Sequence, residues 1–233
     1  MKKTGGKIKR KLIWDIKYTY RRFSVDSFYL KVAPTWNRNS ICIDVGGKKT
    51  HKKGDFIIEN YINNPIYVNI DPKVTPDIVC DACNMPFQND YADILICSEM
   101  IEHVEEPVEV IKEMYRVLKP GGKIFICVPF SMHIHGLPCD YGRYTEVWWR
   151  SQIERIGFSN IEIARQGGYY ATRLNMNKRY FKIMRRRHRR NPLLIFPYMY
   201  YVVCNSVLLF LENHGADNSE VGYTTGYEII LTK

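Results

Sequence analysis

Five short apolar runs constrain what this chain can fold into: SICIDV (40–45), IYVNID (66–71), PDIVCD (76–81), ADILICS (92–98) and GKIFICVPF (122–130). Each is rich in β-branched or Cys residues and apolar on both faces of a strand, and helix-period stretches separate them. A strand apolar on both faces has to be covered on both, which a parallel sheet with flanking helices achieves. The expected class is therefore α/β. Between the last two runs, EEPVEVIKEMYRVLKPGG places Val108, Ile111, Met114, Tyr115 and Leu118 on one stripe. This predicts an amphipathic helix begun by Pro107 and stopped by Pro120 and the glycine pair. A second helix is expected over EVWWRSQIERIGF, with Val147, Ile153 and Ile156 on a common side and Trp148 and Trp149 as packing residues. The strand SNIEIAR follows it.

Residues 168–221 differ in character, holding RRRHRR (185–190) and then PLLIFPYMYYVVCNSVLLFL (192–211). The chain closes on TTGYEIILTK, in which Tyr227, Ile229 and Leu231 alternate as in a strand. That strand needs a sheet edge to pair with, so the excursion before it reads as an insertion. The expected organisation is a basic N-terminal tail and helix over 1–35, a core over 36–167, a basic and aromatic insertion over 168–221, and a final core strand over 222–233. The apolar run approaches the roughly 20 residues of a membrane span. Pro197 is expected to break it early, with Asn205 and Ser206 interrupting the rest. A helix from Tyr198 to Leu211 would suit an interface or a partner rather than a crossing.

The formal net charge of +10 is unevenly placed. Nine Lys/Arg lie in residues 1–22 and eight in 178–190, while the remaining 17 face 23 acidic residues. Two basic segments on a mildly acidic body fit an anionic surface met at two places, a membrane or a phosphorylated substrate, and not a nucleic-acid groove. The seven cysteines are scattered and odd in number, and Cys42, Cys80, Cys97 and Cys127 lie at or inside apolar runs, as reduced core residues do. Cys80 and Cys83 form a single CxxC, too few ligands for zinc, so no metal is expected. The N-terminal stretch has no apolar h-region. The expected location is cytoplasmic, with peripheral membrane contact or homodimerisation through 178–211.

In an open parallel sheet, ligands sit beyond the carboxyl ends of the strands, near the point where strand order reverses. The first run ends in Asp44 with Gly46 and Gly47, which permit close backbone approach. The second ends in Asp71, able to accept two hydrogen bonds from a ribose diol. The third ends in Asp81, placed for an exocyclic amine, and the fourth in Ser98 and Glu99. An acid after a strand also serves as a helix N-cap, but four strand ends in register point to a site. DVGGKKTH lacks the GxGxxG of a dinucleotide fold, and an adenosyl ligand without a pyrophosphate needs that pattern less.

The stretch from Ile41 to Thr145 resembles class I S-adenosylmethionine-dependent methyltransferases of the methyltransferase type 11 group. The similarity rests on IDVGG, IDPK, CDACNMPFQNDYADILICSEMIEHVEEPVEVIKEMYRVLKPGGKIFICVPF and HGLPCDYGRYT. The last of these resembles a loop of methyltransferases that accompany bacterial cell-surface polysaccharide synthesis. The resemblance implies a Rossmann-like seven-stranded, mostly parallel sheet of order 3-2-1-4-5-7-6, an antiparallel final strand, and S-adenosyl-L-methionine as cofactor. By the same resemblance Asp44, Gly46 and Gly47 would lie under the methionine moiety, Asp71 would hold the ribose, Asp81 would face the adenine amine, Ala82 would line the adenine, and Ser98 would approach the methionine. The sequence departs from the family at Lys48 to Thr50, where further glycines are usual.

Methyl transfer from a sulfonium is an in-line displacement, and an alcohol acceptor must lose its proton. Histidine suits that step near neutral pH. The loop HIHGLPCDYGRYT (133–145) follows the fifth strand, so His133, His135 and Asp140 are candidate base and orienting partner. Tyr141, Arg143 and Tyr144 are candidate substrate contacts. His103, after the fourth strand, is a competing base whose place at the start of a helical segment also suits a structural role. The bland alternative has His135 and Asp140 fixing the loop and Arg143 pairing with a carboxylate. The expected activity is O-methylation of a sugar hydroxyl on a surface glycan or its precursor. The alternatives are methylation of a small lipid, quinone or other metabolite, or a catalytically silent scaffold; nucleic acid is not an expected partner.

Overall fold

A computed structural model describes residues 18–50, 54–188, 195–214 and 222–233. Most of the basic N-terminal tail, Arg189 and Arg190 of the second cluster, and residues 191–194 lie outside the described residues. Seven strands form one sheet: β1 (Cys42–Val45), β2 (Ile66–Asn69), β3 (Ile78–Val79), β4 (Ala92–Ser98), β5 (Leu118–Pro129), β6 (Asn160–Gln166) and β7 (Gly226–Thr232). Their order is β3-β2-β1-β4-β5-β7-β6, as the resemblance implies. Strands β1 to β5 pair in parallel, and β7 runs antiparallel to both β5 and β6. The helices are α1 (Tyr20–Val32), α2 (Pro107–Val117), α3 (Glu146–Ile156), α4 (Tyr169–Arg187) and α5 (Ile195–His214), the last two lying between β6 and β7.

The period-two geometry of a strand divides the apolar runs between two layers. Leu95 and Cys97 of β4, with Ile124 and Ile126 of β5, join Ile111 and Met114 of α2 and Trp149 and Ile153 of α3 on one face. Ile94 and Ile96, with Phe125 and Cys127, meet Val25, Phe28 and Tyr29 of α1 on the other. Each fully buried aliphatic or aromatic side chain in these layers contributes about 1.5–3 kcal/mol of transfer free energy. Cys42, Cys97 and Cys127 are buried thiols of this core, whereas Cys80, just beyond the short edge strand β3, is only part-buried. The turn over 85–89 is tied to α2 by Arg116, which donates to the carbonyls of Met85 and Phe87 and pairs with Glu113.

Several boundaries differ from those expected. Helix α2 stops at Val117, three residues before Pro120, because Leu118 is already extended and pairs with Ala92 of β4. The residue before a proline disfavours the helical region, so the turn is made earlier. The buried face of α2 is Val110, Ile111, Met114 and Val117, while Val108 and Tyr115 lie at its margin. In α3 the core takes Trp149 and Ile153, four residues apart, and leaves Val147 77% exposed. Helix α5 is not broken at Pro197 but begins at Ile195 and runs through Asn205 and Ser206. A proline in the first turn removes an N–H that has no intrahelical partner in any case. No described helix is long and apolar enough to cross a membrane.

Candidate functional site

Strand order reverses between β1 and β4, and a cavity of about 1400 Å³ opens there at the carboxyl ends. Its described lining includes Asp44, Gly46 and Gly47 after β1, Ser98 and Glu99 after β4, His103, and His133 and His135 after β5. Helix α1 and the segment before it add Tyr18, Arg21 and Tyr29, and α4 adds Asn175 and Arg179.

The β1 end is shaped by its backbone. Gly46 sits at φ +79°, and a Cβ there would lie 2.5 Å from Met100 Cγ. A Cβ on Gly47 would collide with the Asp44 carboxylate. The Asn69 carboxamide at the end of β2 donates to the carbonyls of Gly46 and Gly47, at 2.8 and 3.0 Å. The loop thus lines the cavity with backbone next to an acid. Ser98 Oγ donates to the Tyr29 hydroxyl at 2.6 Å, which donates on to the Phe125 carbonyl. The serine lines the cavity but is anchored to α1.

Asp71, Asp81 and Ala82 lie at the expected strand ends without lining this cavity. Asp71 caps the turn Pro72–Val74 by accepting from Lys73 N at 2.9 Å, and Asp81 accepts from Cys83 N at 2.9 Å. Both acids are exposed. The capping role weighed from sequence is therefore present at both, beside whatever ligand contact they make.

Opposite the glycine loop, residues 133–145 close onto the turn Ile101–His103. Tyr141 N donates to the Glu102 carbonyl at 2.8 Å, and His103 Nδ1 lies 2.5 Å from the Cys139 carbonyl. Gly136, at φ +70°, lets the chain pass over the His103 ring, since a Cβ there would come within 2.7 Å of Cε1. Asp140 accepts from Arg143 Nη1 at 2.6 Å, from Nη2 at 3.1 Å and from His135 N at 2.8 Å. The Arg143 hydrogen bonds hold its carboxyl down at about 2. This is the loop-fixing arrangement: Asp140 faces Arg143, and its nearest approach to the His135 ring is 3.9 Å. Tyr144 stacks on Trp148 with centroids 4.1 Å apart. Tyr141, Arg143 and Tyr144 do not line the described cavity.

Burial, and then the Arg179 cation, hold the His133 imidazole below its ordinary value, which favours its neutral form. Glu102 moves the other way, pushed up to about 8 by burial and by the neighbouring Glu99 carboxylate. Glu99 itself pairs with Arg21, whose Nε and Nη2 lie 2.8 and 2.6 Å from its Oε1. Sequence reasoning missed Glu102 and Arg21. The sequence does carry a signal for Glu102, an acid immediately before His103 in SEMIEHV; Arg21 sits in a basic run with nothing to single it out.

A family model described as "Methyltransferase domain" matches residues 62–126. This stretch runs from β2 into β5 and stops short of the histidine loop. The protein is 36% identical over 53 residues to the ubiquinone/menaquinone biosynthesis C-methyltransferase UbiE of Burkholderia vietnamiensis, covering 23% of this chain and 22% of the relative. It is 52% identical over 33 residues to a ubiquinone biosynthesis O-methyltransferase of Pseudomonas putida, covering 14% of each. The chain thus spans less than a quarter of these curated relatives. Among solved structures it is similar to Haemonchus contortus phosphoethanolamine N-methyltransferase 2 in complex with phosphomonomethylethanolamine and S-adenosylhomocysteine. The TM-score is 0.58 at 16% identity, over 90% of this chain and 52% of that one.

The fold is that of a class I S-adenosylmethionine-dependent methyltransferase. S-adenosyl-L-methionine is the cofactor this fold takes, and the β1 loop fits it. The loop presents backbone where a side chain would clash, beside an acid and at the point of strand reversal.

Proposed function

We propose that this chain is an S-adenosylmethionine-dependent O-methyltransferase acting on a sugar hydroxyl of a surface glycan or its precursor. The observation that carries the proposal is the pairing of the glycine loop with three imidazoles, His103, His133 and His135, across one cavity at the strand reversal. Asp44, Gly46, Gly47 and Ser98 would hold the methionine end of the cofactor, Asp71 the ribose, and Asp81 and Ala82 the adenine. The bound cofactor supplies an electrophilic methyl on a sulfonium. His133, whose neutral form burial favours, accepts the hydroxyl proton on a ring nitrogen as the acceptor oxygen attacks. The Asp140–Arg143 pair fixes the backbone that carries His133 and His135, and Phe130 helps to line the cavity wall beside them.

Incubation with methyl-labelled cofactor and candidate acceptors tests this reading. Label should appear in carbohydrate, and His133→Ala should lower turnover about a hundredfold, the usual worth of a positioned proton acceptor. Undiminished turnover in that variant would remove His133 from the chemistry. A second reading, a quinone or other small phenolic acceptor, is favoured by the stretches shared with ubiquinone-biosynthesis methyltransferases. It predicts label in an organic-soluble product and none in sugar. A calorimetric titration without cofactor binding at millimolar concentration would leave only a scaffold role.

On this reading the segment 178–211 brings the enzyme to the membrane that carries its substrate. Helix α4 ends on Arg185, Arg186 and Arg187, and α5 exposes Phe196, Met199, Tyr200, Val203, Val207 and Phe210. Co-sedimentation with vesicles containing anionic lipid, weakened by salt, is the expected outcome. Equal recovery with neutral vesicles would dismiss the basic cluster as a lipid contact.

A further inference from the structure

We propose that Glu102, His103 and His135 form a binding site for a divalent transition cation on the acceptor side of the cavity. The Glu102 side chain is 1% exposed, and among the described residues no other residue donates a hydrogen bond to either of its carboxylate oxygens. A buried carboxylate left in that state costs several kcal/mol unless a proton or a cation compensates it. The nearby guanidinium groups are engaged elsewhere, Arg21 with Glu99 and Arg143 with Asp140.

Two imidazoles face that carboxylate. Oε1 lies 3.7 Å from His103 Nε2 and 3.9 Å from His135 Nε2, and the ligand atoms of all three residues fall within 4.8 Å of one another. Both Glu102–imidazole separations are too long for hydrogen bonds. They match two donors held by one ion, since ligands about 2.1 Å from a common centre stand roughly 3.0–4.2 Å apart.

The tautomers point the same way. A carbonyl oxygen can only accept, so the contacts of His103 Nδ1 with the Cys139 carbonyl at 2.5 Å and of His135 Nδ1 with the His133 carbonyl at 3.1 Å place a proton on each Nδ1. Arg143 Nη2 is farther from His135 Nδ1, at 3.3 Å, and is shared with Asp140 and the His133 carbonyl. Both Nε2 atoms then direct lone pairs at Glu102. A cation that displaces the Glu102 proton would meet three converging Lewis bases. Backbone carbonyls behind the ring N–H groups are also the usual support for metal-bound histidine.

Two imidazoles and one carboxylate, with the remaining positions open to the cavity, suit an ion in the manganese-to-zinc range better than an all-oxygen calcium or magnesium site. Resting on the methyl-transfer reading above, the cation would take the acceptor oxygen in an open position and lower its proton affinity, with His133 receiving the proton. An acceptor with two adjacent oxygens would profit most. Sequence reasoning assigned no metal because the ligands come from two segments about thirty residues apart, outside any short spacing motif.

The test is direct metal binding by the full chain after chelator treatment, with manganese chloride and zinc chloride as probes, by calorimetry and elemental analysis. One cation per chain is expected. Glu102→Gln and His103→Ala should each weaken binding at least tenfold with the circular dichroism spectrum unchanged, and His133→Ala should bind as the parent does. If either site variant loses its fold, the other and His135→Ala carry the comparison. Absence of stoichiometric binding at millimolar metal, or equal affinity in the site variants, overturns the proposal. None of these readouts needs turnover. A chain that binds the ion but methylates nothing keeps the site and loses the function proposed above, and an active chain without metal does the reverse.

Discussion

Replacing Arg21 by methionine is expected to cost about 3–5 kcal/mol of folding free energy, the range seen when one member of a buried ion pair is removed. Arg21 is 2% exposed and reaches from α1 across the sheet ends. Its guanidinium holds Glu99 after β4 with two donors and also donates to Gln166 at the end of β6, while its backbone N–H meets Asn175 of α4. Without it, Glu99 sits next to Glu102 with no cation between them, and the Gln166 side-chain Oε1 loses its donor. The penalty comes from the stranded partner, so adding Glu99→Gln should recover a large part of it, a coupling of about 2 kcal/mol or more. Urea unfolding at pH 7 measures both quantities. A loss under about 1 kcal/mol, the value for an exposed pair, would mean that Arg21 is not the tie between these elements.

Gly46→Ala is expected to lower affinity for S-adenosyl-L-methionine at least tenfold. An alanine at φ +79° bears the left-handed penalty of roughly 1–2 kcal/mol. Its Cβ would also lie 2.5 Å from Met100 Cγ and 2.9 Å from Met100 Cβ. The loop can relieve this only by moving, which breaks the Asn69 bonds to the Gly46 and Gly47 carbonyls and lifts its backbone out of register. Met100→Ala in the same chain removes the collision but not the backbone strain, so a partial recovery is expected. Gly121→Ala is the control: it has φ +76° and nothing within 4 Å of the added Cβ. It should lose stability without losing affinity. Calorimetric titration decides the matter, and an affinity within twofold of the parent would show that the cofactor does not rest on this loop.

Strand identity was legible because it depends on short-range pattern, whereas the sheet order came only from the family resemblance. Ile94 and Ile96 against Leu95 and Cys97 is an alternation written along seven residues, and each face found its helix. Helix limits were less legible. Val108 and Tyr115 fit the predicted stripe of α2 as well as Val110 and Val117 do, and only packing against β4 and β5 chose between them. Pro197 was misread because a proline is judged by its place in a helix, and the start of α5 is not marked locally. At the site, Asp44, Gly46, Gly47, Ser98, His103, His133 and His135 come together in one cavity. Asp71, Asp81 and Ala82 stand apart from its described lining, and Asp140 and Arg143 satisfy each other. Spacing places a residue at a strand end but cannot say whether its side chain is already occupied by a neighbouring N–H.

Sequence alone determined the α/β architecture, the glycine pair at the end of β1 and the histidine-rich loop after β5, since each follows from residues adjacent in the chain. The tertiary structure decided that Glu102 is buried with no side-chain hydrogen-bond partner among the described residues, that Arg21 serves Glu99 instead, and that His103 and His135 bring their Nε2 atoms near the same carboxylate. Desolvation and convergence of this kind arise only when segments distant in the chain pack together, and no local pattern of residues records them.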